Sequence, residues 1–268
     1  MTIETILTPA ELPALAKRDL RGTACVVFDI LRATSAFVTA LQNGAREIVP
    51  VSEIPEAVAR RQQRPDVLLA GERDGVKIQK WHGHPAREFP NEAPATDERA
   101  GCPCHYSPVD FDFGNSPREF RPEKVRGKTI VSTTTNGTRA LRGCAGAKIV
   151  LASSFLNLAA TAKFLNQSPA EELLLVCAGT GEGVALEDVL AAGALAGLVG
   201  GDYSDATEIA ARTFLSAKAD LPAVIASSQN ARRLLAIPEL RADVAFCSQR
   251  DIFKIVAAMN AEGAIRRL

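Results

Sequence analysis

Residues 25–34 read Cys25-Val26-Val27-Phe28-Asp29-Ile30-Leu31-Arg32-Ala33-Thr34. A run that is apolar at successive positions suits a strand buried on both faces, as in a parallel sheet. It stops at Asp-x-x-Arg, and Thr34 can cap a helix running to Leu41, with Asn43-Gly44 to end it. Two other apolar runs end in the same way. One is Val67-Leu68-Leu69-Ala70-Gly71-Glu72-Arg73. The other is Thr129-Ile130-Val131-Ser132-Thr133-Thr134-Thr135-Asn136-Gly137-Thr138. Such endings place charge and hydroxyls at the mouth of a sheet, where parallel α/β folds bind ligands. These pieces suit a small, multiply charged oxyanion and a divalent metal.

Outward from these runs, strands are expected at 23–29, 46–51, 66–71, 128–132, 147–152, 172–178 and 243–247. Ser52 can cap a helix with Pro55 in its first turn, running from Glu56 to Arg64. Further helices are expected at 138–143, 155–166, 186–200, 205–217 and 222–236, the Ala- and Gly-rich 186–200 packing closely on the sheet. The segment from Ile252 to Leu268 reads as two short strands around Asn260-Ala261-Glu262-Gly263. Alternation of this kind predicts an α/β fold, three-layer α/β/α with a mostly parallel sheet. We read 1–268 as one domain, broken near 80–110 by a polar, Pro-rich loop insertion.

Composition narrows the function. With 47% hydrophobic residues among 268, the chain can build a full core. Lys+Arg and Asp+Glu are equal at 31 each, so no global field draws nucleic acid or an anionic membrane, and any anion site must be local. No apolar stretch approaches the roughly 20 residues of a membrane span. The first residues, with Glu4 and Glu11 and no basic start, do not read as a signal peptide. Cys25 and Cys177 lie inside apolar runs and read as buried thiols, so a cytoplasmic enzyme is expected.

Several familiar motifs fail. Arg126-Gly127-Lys128-Thr129 has Pro122 where a P-loop needs Gly, and it precedes a strand instead of following one. Gly179-Thr180-Gly181-Glu182-Gly183 lacks the spacing of a dinucleotide fingerprint. Asp110-Phe111-Asp112 has no apolar strand before it. All three His, at 82, 84 and 105, lie in the loop, which argues against a Ser-His-Asp hydrolase. With Cys102 and Cys104 they are metal-ligand types, but the Cys-x-Cys spacing is tighter than that of structural zinc sites.

The remaining candidates each have a plainer role beside the functional one. Asp29 is a metal ligand, a nucleophile or a helix cap. Arg32 grips an anion bidentately or makes a surface ion pair. Glu72 and Arg73 suit metal plus oxyanion, or a solvated turn. Asn115 and Ser116, in Phe113-Gly114-Asn115-Ser116-Pro117, offer uncharged donors within a turn. Thr134, Thr135, Asn136, Gly137 and Thr138 supply more donors than one N-cap uses. Glu187 and Asp188 either complete a metal site or complement a helix dipole. Cys177 reads as structural.

Taken in order, Phe28-Asp29-Ile30-Leu31-Arg32-Ala33-Thr34, Leu69-Ala70-Gly71-Glu72-Arg73, Phe111-Asp112-Phe113-Gly114-Asn115-Ser116-Pro117, Thr133 to Thr138, and Cys177-Ala178-Gly179-Thr180 with Leu186-Glu187-Asp188 closely resemble the 2-phosphosulfolactate phosphatase family. The resemblance covers 22–79 and 110–200, and the C-terminal part more loosely. It implies a Mg²⁺-dependent phosphatase of the coenzyme M biosynthesis type, converting 2-phospho-3-sulfolactate to 3-sulfolactate and phosphate. On that reading Asp29, Glu72 and Asp188 hold Mg²⁺ directly or through water. Arg32, Arg73, Thr34, Asn115, Ser116 and the residues 134–138 receive the substrate. Attack on phosphorus comes from Asp29, through an acyl-phosphate, or from a metal-bound water. The family is expected to lack most of 80–110, which could form a lid or a homodimer contact. Two alternatives stand beside this reading: a phosphatase of another phosphorylated 2-hydroxy acid, and a non-catalytic sensor of anionic metabolites on the same scaffold.

Overall fold

The run at 23–28 becomes a central strand, Thr23–Phe28, with every residue buried. In chain order the strands are β1 (Thr2–Ile6), β2 (Thr23–Phe28), β3 (Glu47–Val51), β4 (Leu68–Arg73), β5 (Val76–Lys77), β6 (Gln79–Lys80), β7 (Tyr106–Ser107), β8 (Thr129–Thr133), β9 (Ile149–Ser153), β10 (Glu172–Cys177), β11 (Asp202–Tyr203), β12 (Ala257–Met259) and β13 (Ile265–Arg267). The helices are α1 (Leu12–Leu15), α2 (Ala33–Gln42), α3 (Ile54–Gln63), α4 (Pro122–Val125), α5 (Gly137–Gly143), α6 (Leu158–Gln167), α7 (Leu186–Val199), α8 (Asp205–Ala217), α9 (Leu221–Ala226), α10 (Gln229–Leu235) and α11 (Arg241–Cys247). This computed structural model describes residues 1–15, 17–73, 75–80, 106–168 and 170–268.

Eleven of the described strands form one sheet in the order β11-β1-β10-β2-β9-β12-β13-β3-β8-β4-β5. Two parallel blocks make up most of it: β11, β1, β10, β2 and β9, then β3, β8 and β4. The C-terminal hairpin β12–β13 lies between them and pairs antiparallel with β9 on one side and β3 on the other. The expected strands around Asn260 are therefore present, in the middle of the sheet. Helices cover both faces, giving the three-layer α/β/α arrangement. α2 and α5 bury Phe37, Leu41 and Leu141 with Val27, Ile48 and Val150. α6 to α11 bury Leu158, Leu190, Phe214, Ile225, Leu234 and Val244 with Val26, Phe28 and Leu175.

Some expectations change. Residues 243–247 belong to α11, not to a strand, because Val244 and Cys247, one helical turn apart, are the buried apolar positions. The stretch 222–236 is two helices, broken where Ser228 accepts a hydrogen bond from Ala231 N to begin α10. Thr34 is not the cap of α2; Arg32 holds that position. Glu53, not Ser52, precedes α3. β1 was not expected. It pairs with β10 and β11, and its Thr5 shares a hydrogen bond with Thr207 of α8. α7 packs on the sheet as expected, burying Leu190 and Leu195 with Phe28 and Leu175, and it also lies close against α8, where a Cβ on Gly193 would sit 2.0 Å from Ala210 O. The loop His and Cys residues, and most of the expected insertion with its lid or homodimer contact, lie outside the described residues.

Candidate active site

Loops leaving β2, β4, β8 and β10 converge on one pocket. Asp29, Arg32, Glu72, Asn115, Thr135, Asn136 and Thr180 line it, joined by Asn230 and Arg233 from α10. Its empty space, open mouth included, is about 640 Å³.

Asp29 is the first residue past β2. Its Oδ1 accepts a hydrogen bond from Ala33 N at 3.1 Å, at the start of α2. Thr34 works behind it: Thr34 Oγ1 accepts from Asp29 N at 3.1 Å and donates to Asp29 O at 3.0 Å. Thr34 thus shapes the loop and does not line the pocket. The other carboxylate oxygen, Oδ2, lies against Gly137 at the start of α5. A Cβ there would sit 2.6 Å from that oxygen, so the site needs glycine at 137. Burial, and then the charges of Glu72 and Glu187, raise the Asp29 pKa to about 7 against the opposing Ala33 N–H and Arg32.

Arg32 is almost fully buried and follows a cis Leu31–Arg32 peptide bond. Its Nη1 donates to Asp243 Oδ2 at 2.9 Å and its Nη2 to Gly75 O at 2.6 Å. Guanidinium carries five N–H groups, so donors remain for a ligand in the pocket it lines. Asp243, fully buried on α11, also accepts from Ser116 Oγ at 2.7 Å and Arg118 Nε at 2.8 Å. Ser116 is therefore committed to Asp243, while Asn115 lines the pocket.

Glu72 and Arg73 separate. Adjacent residues of a strand point to opposite faces, so they cannot both enter one pocket. Glu72 lines it, its Oε1 accepting from Thr135 N at 3.0 Å and Oγ1 at 3.2 Å, its Oε2 from Gly75 N at 2.7 Å. Arg73 instead donates to Glu72 O, Ser52 O and Thr133 Oγ1. It ties β4 to β8, outside the pocket lining. In the 134–138 cluster the roles also divide. Thr135 and Asn136 line the pocket, whereas Thr134 and Thr138 bond to each other's backbone at the first turn of α5. Asn136 Nδ2 donates to Gly179 O at 2.8 Å and Gly181 O at 3.2 Å, locking the β8 loop to the β10 loop.

Asp188 does not line the pocket. Its Oδ1 accepts from Ile30 N at 2.8 Å and its Oδ2 from Gly179 N at 3.0 Å, so it splices the ends of β2 and β10. Burial, then Glu187 and Asp29, push its pKa well above the ordinary carboxylate range. Of the expected metal set, Asp29 and Glu72 line the pocket and Asp188 lies behind it; among the described residues no group of three or more His, Cys, Asp or Glu forms a ready-made metal centre. Two buried oxygens nevertheless have no hydrogen-bond partner: Glu187 Oε2 and Asn136 Oδ1. Cys177 is fully buried in β10, and burial pushes its thiol far up, in keeping with a structural role.

Asn230, Arg233 and Asp243 were not anticipated. They lie far along the chain in a helical stretch without a polar motif, and only the Asn230-x-x-Arg233 spacing hints at a shared face.

The class to which this fold and its relatives point is a phosphoric monoester hydrolase on an α/β/α frame. A family model described as 2-phosphosulpholactate phosphatase matches residues 7–92 and 95–262, passing through most of the 80–110 loop. A protein of Thermotoga petrophila named "Probable 2-phosphosulfolactate phosphatase" is 39% identical over 87% of this chain and 88% of its own length. One of the same name from Thermotoga maritima is 38% identical over the same shares, and one from Caldanaerobacter subterraneus is 35% identical over 93% and 92%. The chain belongs to the 2-phosphosulfolactate phosphatase family.

Proposed function

We propose that this protein is a Mg²⁺-dependent phosphatase that hydrolyses 2-phospho-3-sulfolactate to 3-sulfolactate and phosphate. The observation that carries the reading is Asp29. Its Oδ1 is fixed by Ala33 N–H, its Oδ2 is held against Gly137, and it faces a pocket with Arg32 and Arg233 for an anionic ester. Asp29 either attacks phosphorus through Oδ2, breaking the ester P–O bond and giving an aspartyl phosphate that water then cleaves, or takes the proton from a water that attacks phosphorus; on both routes 3-sulfolactate leaves and its hydroxyl oxygen gains a proton from water. Arg32 neutralises charge on the phosphoryl oxygens as the ester bond breaks. Asp243 holds that guanidinium in place, and the Glu72 to Thr135 bonds hold the loop that closes the pocket wall.

The oxygens present fit a hard cation. Glu187 Oε2 and Asn136 Oδ1 are buried without donors, as ligands awaiting a cation would be, whereas both oxygens of Asp188 and of Glu72 are already engaged. We therefore assign Mg²⁺ to Asp29, Glu187 and Asn136, with water completing its shell. When bound it supplies charge neutralisation at the phosphoryl group. The described cysteines Cys25, Cys144, Cys177 and Cys247 are free thiols, which supports a cytoplasmic setting. The test is phosphate release from 2-phospho-3-sulfolactate by the purified protein. It should require Mg²⁺ and stop on chelation; no release with saturating Mg²⁺ would overturn the function, and undiminished release under chelation would remove the metal.

A further inference from the structure

The cations around the pocket are not equivalent. Arg73 is turned away to Ser52 and Thr133, and Arg32 is tied down by Asp243 and Gly75 O. Arg233 is exposed, lines the pocket and makes no ion pair among the described residues. Its hydrogen bond is a long one, Nη2 to Asn230 Oδ1 at 3.4 Å.

Asn230 sets where that guanidinium sits. It is buried, and its Nδ2 donates to Thr180 Oγ1 at 2.6 Å and to Glu187 Oε1 at 2.8 Å. A carboxylate only accepts, so the amide must turn its nitrogen to Glu187 and its oxygen to Arg233. The same side chain thus joins the Gly179–Gly181 loop, Glu187 and the free arginine. Leu234, buried beside Arg233 on α10, anchors the helix, and with Leu31 it gives the pocket an apolar wall.

We propose that Arg233, positioned by Asn230, is the specificity-determining residue that binds the anionic group of the substrate farthest from phosphorus, the sulfonate. This rests on the phosphatase reading above. A 2-phospho-3-sulfolactate carries phosphate, carboxylate and sulfonate, and a pocket lined by the carboxylates Asp29 and Glu72 repels all three. Arg32 lies next to Asp29 and serves the phosphoryl end. The remaining cation stands on another element, α10, and Leu31 and Leu234 add apolar lining suited to the methylene that bears the sulfonate. Arg233 offers a planar fork to a tetrahedral oxyanion, and among the described residues no carboxylate pairs with its guanidinium.

The test compares kcat/KM for 2-phospho-3-sulfolactate and 2-phospholactate, the same ester with a methyl group in place of the sulfomethyl group. The proteins are the wild type, Arg233→Met and Arg233→Lys. The wild-type preference for the sulfonated ester should fall about 10- to 100-fold in Arg233→Met, as loss of a charge-assisted hydrogen bond requires, mainly through KM, and less in Arg233→Lys. An unchanged preference, whether both rates fall together or neither falls, overturns the assignment while leaving the phosphatase reading intact. A wild type that hydrolyses neither ester overturns both.

Discussion

Replacing Asp29 by Asn should stop turnover and at the same time stabilise the metal-free protein at alkaline pH. The side chain has an ordinary pKa of 3.8 and reaches about 7 in the folded chain, chiefly through burial and then through Glu72 and Glu187. The folded state therefore holds its proton more tightly than the unfolded one. Stability from this group is full below about pH 4 and falls as pH rises towards 7, because the unfolded chain releases the proton first. At about 1.4 kcal/mol per pH unit the loss reaches about 4 kcal/mol above pH 7 and about 1.5 kcal/mol at pH 5. Asn keeps the Oδ1 acceptor for Ala33 N and removes only the charge. Urea unfolding in a chelator should show the variant ahead of the wild type by a margin that widens by about 2–3 kcal/mol between about pH 5 and about pH 8. A margin that is the same at both pH values, or a variant less stable than the wild type at the higher one, would refute the electrostatic reasoning.

Other substitutions follow from the same geometry. Gly137→Ala forces a Cβ to within 2.6 Å of Asp29 Oδ2 and 2.9 Å of the Ala33 Cβ, so kcat should fall about 100-fold; a rate within threefold of wild type in steady-state assays would show that Asp29 Oδ2 is not the reacting oxygen. Asp243→Ala leaves the Arg32 charge buried without its partner and should cost about 3–5 kcal/mol in chemical denaturation, and a loss below about 1 kcal/mol would remove the pair from the account. Mg²⁺ should raise the thermal midpoint of the wild type, and Glu187→Gln should weaken that shift at least tenfold in Mg²⁺ concentration, since it neutralises the one carboxylate, among the described residues, whose buried oxygen has no donor; an equal shift in both proteins would place the cation elsewhere.

How far the sequence carries this picture depends on distance along the chain. The apolar run at 23–28 and the turn at Asn260-Ala261-Glu262-Gly263 are local signals, and both give strands where expected. The run 243–247 is too short for its period to be read. Five mixed apolar residues suit either element, and burial of Asp243 is settled by Arg32, which lies 211 positions away. The polar strand ends at Asp29, Glu72 and Asn136 do meet in one pocket. Their neighbours mislead for definite reasons. Arg73 is one strand position from Glu72 and so faces the other way. Thr34, Thr134 and Thr138 spend their hydroxyls on their own loops. Asp188, rather than Glu187, takes the backbone N–H groups of two strand ends, which a sequence cannot reveal. Asn230 and Arg233 reach the pocket only because α10 packs over the β10 loop.

The most direct test of the central claim is phosphate release from 2-phospho-3-sulfolactate with Mg²⁺, measured side by side for the wild type and Asp29→Asn. The wild type should turn over many times, and the variant, which remains folded, should release no phosphate above background. An Asn variant that turns over at near the wild-type rate would contradict the claim.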